Sequence, residues 1–423
     1  MAPFWKSAAL LFVALRFGDL VNFVTGVWLV PKFVGPSELG AVMPLVQAAG
    51  LLSLPVSILV VPYSRLLAVH LARGQAGKAK AMVRDAALLS GAAFLASAAV
   101  SPFVLPPLFS RFRVENGNLA VAIIASAAVG AVTPVFSETV RAMGRFGVVS
   151  LCNLVCAPLR FAVMAVAMPL RGITGYFVGQ SAGPVFTSIL SLGAFLRGVG
   201  RVRPEPYWRE DRAAFFSFVV PFAALSVAGG VRAMAELMPM SFIPQTEAAA
   251  YYQISRFSEL ATYAGVTLVY MLFPVVAARQ AQGKDSIDLL LRTMAFSALG
   301  GLALSAAVAA AARFLFPFFP FLSPYAEYSG YILPFGAISS LRVSAACFEA
   351  HETGRSDFRF VRWALPVHLA ATAALALICR GPEALRLGAW HLRHVVFAMG
   401  LPAAAIFAGA FATALLRFRS VGR

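Results

Sequence analysis

AALLFVALRFGDLVNFVTGVWLV, residues 8–30, decides how the whole chain is read. It is apolar over a length that crosses a bilayer as an α-helix, which takes about 20 residues. Yet Arg16 and Asp19 stand in its middle. A secretory leader keeps its apolar core free of charge and ends in a small-x-small cleavage site. This stretch does neither, so it reads as a retained first membrane helix.

Blocks of the same kind recur to the end of the chain. The expected spans are 8–30, 38–62, 86–108, 119–140, 148–168, 174–196, 214–236, 247–275, 293–316, 325–348, 363–380 and 394–417. Span 247–275 is long enough to include an interfacial stretch. Composition agrees: 60% of residues are hydrophobic, 13% are charged, and the mean hydropathy is +0.79. Soluble domains carry about 25% charged residues, so the apolar excess must face lipid. Backbone groups in lipid must be satisfied internally, which leaves helices or a closed barrel. A barrel would alternate apolar and polar residues in segments of about ten; these blocks are continuous. The expected fold class is all-α polytopic, with about twelve transmembrane helices.

Lysine and arginine fix the orientation, because they accumulate on the cytoplasmic side. With the N-terminus inside, 22 of them fall in cytoplasmic segments and 7 outside. Both termini are therefore expected inside, and the net charge of +17 is mainly a topology signal. No basic soluble surface of the kind that binds nucleic acid is expected.

The four cysteines, Cys152, Cys156, Cys347 and Cys379, sit in apolar segments and read as small packing residues. The histidines, His70, His351, His368, His391 and His394, read as interfacial polar residues at loops or helix ends, without carboxylate or metal-ligand spacing. No metal and no cofactor is expected.

A shift of 209 residues lays one half of the chain on the other. KFVGPSELGA (32–41) falls on SFIPQTEAAA (241–250), matching Phe33, Glu38 and Ala41 to Phe242, Glu247 and Ala250. Leu59, Val60, Ala68 and Gly74 then meet Leu268, Val269, Ala277 and Gly283. The expected organisation is an N-terminal lobe over 1–196, a cytoplasmic linker over 197–213 and a C-terminal lobe over 214–423. Each lobe has six helices and starts inside, so the repeats are parallel. Transporters built this way hold substrate near the bilayer midplane.

Charged residues inside the spans are the functional candidates. A lipid-facing charge at the midplane costs about 2.5–3.5 kcal/mol on insertion scales. Arg16, Asp19, Arg160, Arg256 and Glu259 must therefore face a partner or a watery cavity. Arg16 and Asp19 are three apart, as are Arg256 and Glu259; Arg232 and Glu236 are four apart. Each pair shares a helix face. One reading is structural ion pairing. The other gives the arginines an anionic ligand and the acids Asp19, Glu236 and Glu259 a role in coupling or charge balance. Arg160 has no acid on its own helix. Arg342 and Arg313 lie nearer span ends and are expected to snorkel. Pro55, Gly229–Gly230 and Pro334 mark positions where spans could bend.

VPKFVGPSELGAVMPLVQAAGLLSLP (30–55) and YYQISRFSELATYAGVTLVYMLFPVVAARQAQGK (251–284) resemble stretches of polysaccharide flippases. These belong to the multidrug/oligosaccharidyl-lipid/polysaccharide exporter superfamily. The resemblance implies two six-helix lobes around a central cavity in the cell's inner (plasma) membrane. It also implies movement of a polyprenyl-pyrophosphate-linked oligosaccharide to the outer leaflet by alternating access, with H⁺ or Na⁺ as a possible coupling ion. Arg16, Arg160, Arg256 and Arg232 would then serve the pyrophosphate, since a guanidinium can make two parallel bonds to it. Two alternatives stay open. A cation- or drug-exporting antiporter of the same superfamily would use the acids. A membrane-embedded glycosyl- or acyltransferase would need a catalytic cluster that the sequence does not display.

Overall fold

The computed structural model describes residues 2–114, 117–200, 202–260, 262–281, 285–378 and 390–421. Among them nine helices are long and apolar enough to cross a bilayer. One of the nine, α6 (Phe146–Val199), is a hairpin of two spans that reverses at Gly172. The shorter apolar helix α12 (Val361–Ile378) and the pair α8 (Gln245–Leu260) and α9 (Thr262–Ala281) complete the set of twelve. The protein is a multi-pass integral membrane protein. Side chains such as Leu95 and Phe103 on α4 (Ala76–Phe112) are 69% and 79% exposed, and lipid is the solvent that makes such apolar faces tolerable.

The chain divides into two compact units, Met1–Gly230 and Val231–Arg423. In the first, α1 (Ala2–Val24) passes through one π turn, Thr25–Leu29, into the short α2 (Val30–Phe33). Helix α3 (Pro36–Ala72) packs on α4 and on α5 (Gly117–Ala142), and α6 packs on α5 and α1. Helix α7 (Trp208–Leu237) begins in this unit and ends in the second. In the second unit α11 (Ile332–Gly354) is central, touching α8, α9, α10 (Ile287–Leu315) and α13 (Leu392–Val421).

The repeat is visible in the elements. Adding 209 to the bounds of α3 gives 245–281, the outer bounds of α8 and α9 together. Glu38 and Glu247 each stand in the first turn of their helix. The neighbours match too: α3 touches α4 and α5, as α9 touches α10 and α11.

Several turns are built alike. At Gly74, Gly144, Arg113 and Ser356 the chain takes a positive φ of 55–72°. In each case the next residue's N–H reaches back five residues, as in Gln75 to His70 and Asp357 to Glu352. This double-bonded cap satisfies carbonyls at the helix end that would otherwise lack partners.

One sequence expectation changes. Pro334 lies in the first turn of α11, where a missing N–H costs nothing, so it introduces no bend. Pro44, Pro55 and Pro62 all lie within the unbroken α3. Cys379 lies outside the described residues.

Candidate functional site

The first unit holds Arg16, Asp19 and Arg160. On α1, Arg16 Nη1 lies 3.0 Å from Asp19 Oδ2, and both side chains are 28% exposed. The three-residue spacing and the absence of any β-branched crowding between them let the pair close on one face. Helix α1 rests on α6 at Gly18, where a side chain would meet the Asn153 carbonyl at 3.5 Å. Arg160 stands on the incoming half of α6. It donates to Gln180 Oε1 on the returning half, and Gln180 Nε2 donates to Tyr176 Oη at 2.7 Å.

The hairpin that makes this contact depends on glycine. Gly172 has φ +52° and ψ −129°, which L side chains rarely adopt. Gly175, Gly179 and Gly183 then face the incoming half: a side chain at 183 would meet the Cys156 carbonyl oxygen at 2.6 Å. Small residues every fourth position let membrane helices approach closely. This closeness brings Gln180 to Arg160.

The second unit holds Arg232, Glu236, Arg256 and Glu259. Glu236 is 1% exposed and is bridged by two arginines. Arg232 on its own helix donates to Oε1, and Arg342 from α11 reaches Oε2 at 2.5 Å. Arg232 Nε also donates to His368 Nδ1 of α12 at 3.0 Å. Accepting there fixes His368 as the neutral tautomer with its proton on Nε2, a buried atom without a hydrogen-bond partner among the described residues. Glu349 on α11 adds negative charge near Arg232. On α8, Arg256 Nη1 lies 2.9 Å from Glu259 Oε2, and its guanidinium sits 5.0 Å from the Tyr252 ring centre. Burying these charges is tolerable only because each carboxylate has a guanidinium partner.

Sequence spacing found every one of these local pairs. It missed the partners that come from other helices or from the returning half of α6: Gln180 for Arg160, with Tyr176 behind Gln180, and Arg342 and His368 around Glu236. Arg342 does not snorkel; Glu236 holds it. A glutamine in the apolar stretch 174–183 and a histidine inside α12 were available signals. The histidines also need correction. His70 lies 2.6 Å from Asp211, His391 lies 2.7 Å from Glu247, and His351 lies 2.9 Å from Glu352. His368 is inside a span rather than at a loop.

Chemically, these clusters can hold and exchange charge inside apolar helices. No family model matches the chain, and no curated protein matches it. Solved structures do. The MATE transporter VcmN of Vibrio cholerae, a mutant form, aligns over 99% of this chain and 99% of its own, with a TM-score of 0.68 at 14% identity. The inward-facing structure of a multidrug resistance MATE family transporter of the MOP superfamily covers 96% of this chain and 95% of its own. Its TM-score is 0.66 at 15% identity. The outward-facing structure of such a transporter also gives 0.66 at 15% identity, over 99% and 96%. The chain has the MATE fold. In the MATE fold this chain places Arg16, Asp19 and Arg160 in its first unit and Arg232, Glu236, Arg256 and Glu259 in its second.

Proposed function

We propose that the protein is a transporter that works by alternating access and exports amphipathic, drug-like compounds from the cell across the inner membrane. The full-length likeness to MATE structures in inward- and outward-facing states supports a transport cycle of that kind, and the neighbours' description as multidrug resistance transporters supports the cargo. The observation that carries the mechanism is the buried carboxylate of Glu236, bridged by Arg232 and Arg342. A charge in that position can be neutralised or re-paired but cannot be left alone. Asp19 and Glu259 hold equivalent places beside Arg16 and Arg256. H⁺ or Na⁺ entering one of these pairs would be the coupling event. The six-helix lobes, 1–196 and 214–423 around the linker 197–213, are the bodies we assign to the cycle.

One observation favours a second cargo. Arg160 is held by the neutral Gln180, so it brings a cationic charge that its hydrogen-bond partner does not cancel. A lipid-linked oligosaccharide with a pyrophosphate would use it. An organic cation, by contrast, would have to displace an arginine from its acid. In neither case is the cargo chemically changed.

Reconstituted protein separates the readings. Under an imposed proton or sodium gradient, export of a fluorescent amphipathic dye is the expected result. Movement of a polyprenyl-pyrophosphate glycan without dye export would replace the first cargo by the second. Product formation would remove both.

A further inference from the structure

The segment leading into α7 is bonded to the α3–α4 turn. Glu205 N–H donates to the Gly77 carbonyl at 3.1 Å, and Lys80 donates to the Val202 carbonyl at 3.0 Å. Lys78 reaches Glu210 at 2.6 Å, and Asp211 meets His70 at 2.6 Å. All of these residues belong to the first unit. So held, the first turns of α7 form one wall of an open cleft whose other walls are α3, α4 and α5. Leu59, Leu66, Met82, Leu89, Trp208 and Phe215 line it.

Three features point to what fills it. The lining is apolar, and Leu89 is 51% exposed. Trp208 packs edge-on against Phe215 and Phe216 at 5.5 and 5.8 Å, and Trp208 and Phe216 stay exposed. Tryptophan so placed marks the depth where acyl chains meet headgroups. The charge at the rim is also cationic after local pairing. Glu210, Asp211 and Asp85 are engaged by Lys78, His70 and Arg84, while Arg209 and Arg212 stand exposed on the first turns of α7.

We propose that this cleft binds one acyl chain of an anionic phospholipid from the leaflet faced by the 197–213 segment, with the headgroup phosphate on Arg209 and Arg212. A flat apolar peptide would find no row of polar partners here, whereas an acyl chain needs none. The lipid would tie the start of α7 to α3 and α4. This site is independent of the cargo.

Native mass spectrometry of the full-length protein, released from nanodiscs holding equal phosphatidylglycerol and phosphatidylcholine, tests it. Wild type should retain phosphatidylglycerol preferentially. Arg209→Gln with Arg212→Gln should cut that preference roughly tenfold or more, since each surface arginine is worth about fivefold. Ala86→Trp, which fills the cleft, should lower retention of both lipids. Equal retention by wild type, or an unchanged preference in the double variant, would overturn the proposal. So would undiminished retention by a folded Ala86→Trp protein. If that variant does not fold, phosphatidylglycerol with a photoreactive acyl chain replaces it. Adducts within 59–66, 82–89 and 208–215 are expected, and adducts confined to other regions refute the site.

Discussion

At the residue scale, buried charge is affordable here only in company, and that makes the pairs testable. Glu236 bridges two guanidiniums that come from α7 and α11. Glu236→Gln leaves both arginines buried without their carboxylate, so it should destabilise the protein by about 3–5 kcal/mol. Glu236→Leu combined with Arg232→Leu removes a matched pair and should recover part of that loss. Thermal unfolding in detergent reads both, and equal stability of the single variant and wild type would show that the cluster is not charged. Arg160 tests cargo rather than stability. If a pyrophosphate uses it, Arg160→Ala should abolish glycan movement at normal abundance, and Arg160→Lys should retain some activity. Dye export should be less affected. Loss of abundance in parallel with activity would instead make Arg160 a strut for Gln180. The sequence displayed Arg232 and Glu236 because four residues make a helical turn. It could not display Arg342 or His368 around them, because the contact is created by packing of α7, α11 and α12 and leaves no spacing behind.

At the scale of elements, α6 and the turn after α11 carry the sharpest consequences. Gly172 reverses α6 at φ +52°, so Gly172→Ala should cost about 1–3 kcal/mol in backbone strain. It should also loosen the Arg160–Gln180 contact. Denaturation in mixed micelles measures the first effect, and an unchanged midpoint would mean that the reversal tolerates a side chain. After α11, Asp357 accepts hydrogen bonds from the Arg359 guanidinium and backbone N–H and meets Arg417 Nη2 at 3.2 Å. The Arg359 hydrogen bond, helped by Arg417, holds its carboxyl at about 2, below the ordinary 3.8. A depressed carboxylate stabilises the fold above its unfolded value, and that contribution fades as pH falls from about 4 to about 2. Asp357→Asn should therefore be less stable than wild type near neutral pH, with the difference shrinking through that window. A difference that stays constant down to pH 2 would assign Asp357 a purely steric role. The element boundaries at 169–173 were legible because proline, arginine and glycine interrupt an apolar run.

At the scale of the whole molecule, the repeat and the orientation come from different physics. The 209-residue shift reproduces helix bounds because each half repeats the same sequence of packing partners, even where few side chains are kept. Orientation rests on charge: 22 lysines and arginines fall on one expected side and 7 on the other. Translocating such loops is costly, which is why the bias has predictive force. The segment 197–213 is the most informative place to test it, because it joins the expected lobes and carries Arg197, Arg201, Arg203, Arg209 and Arg212. Arg203 is exposed, as is Lys32 in the short helix α2. In a background with all four cysteines replaced, Arg203→Cys should resist a membrane-impermeant maleimide in intact cells and react after permeabilisation. Lys32→Cys should react in both. Substituting only these exposed positions leaves the buried ion pairs untouched, so a labelling change reports sidedness rather than unfolding. Ready labelling at 203 in intact cells would invert the protein, placing the basic segments outside. The lipid of the cleft would then belong to the outer leaflet, and the direction assigned to export would reverse with it.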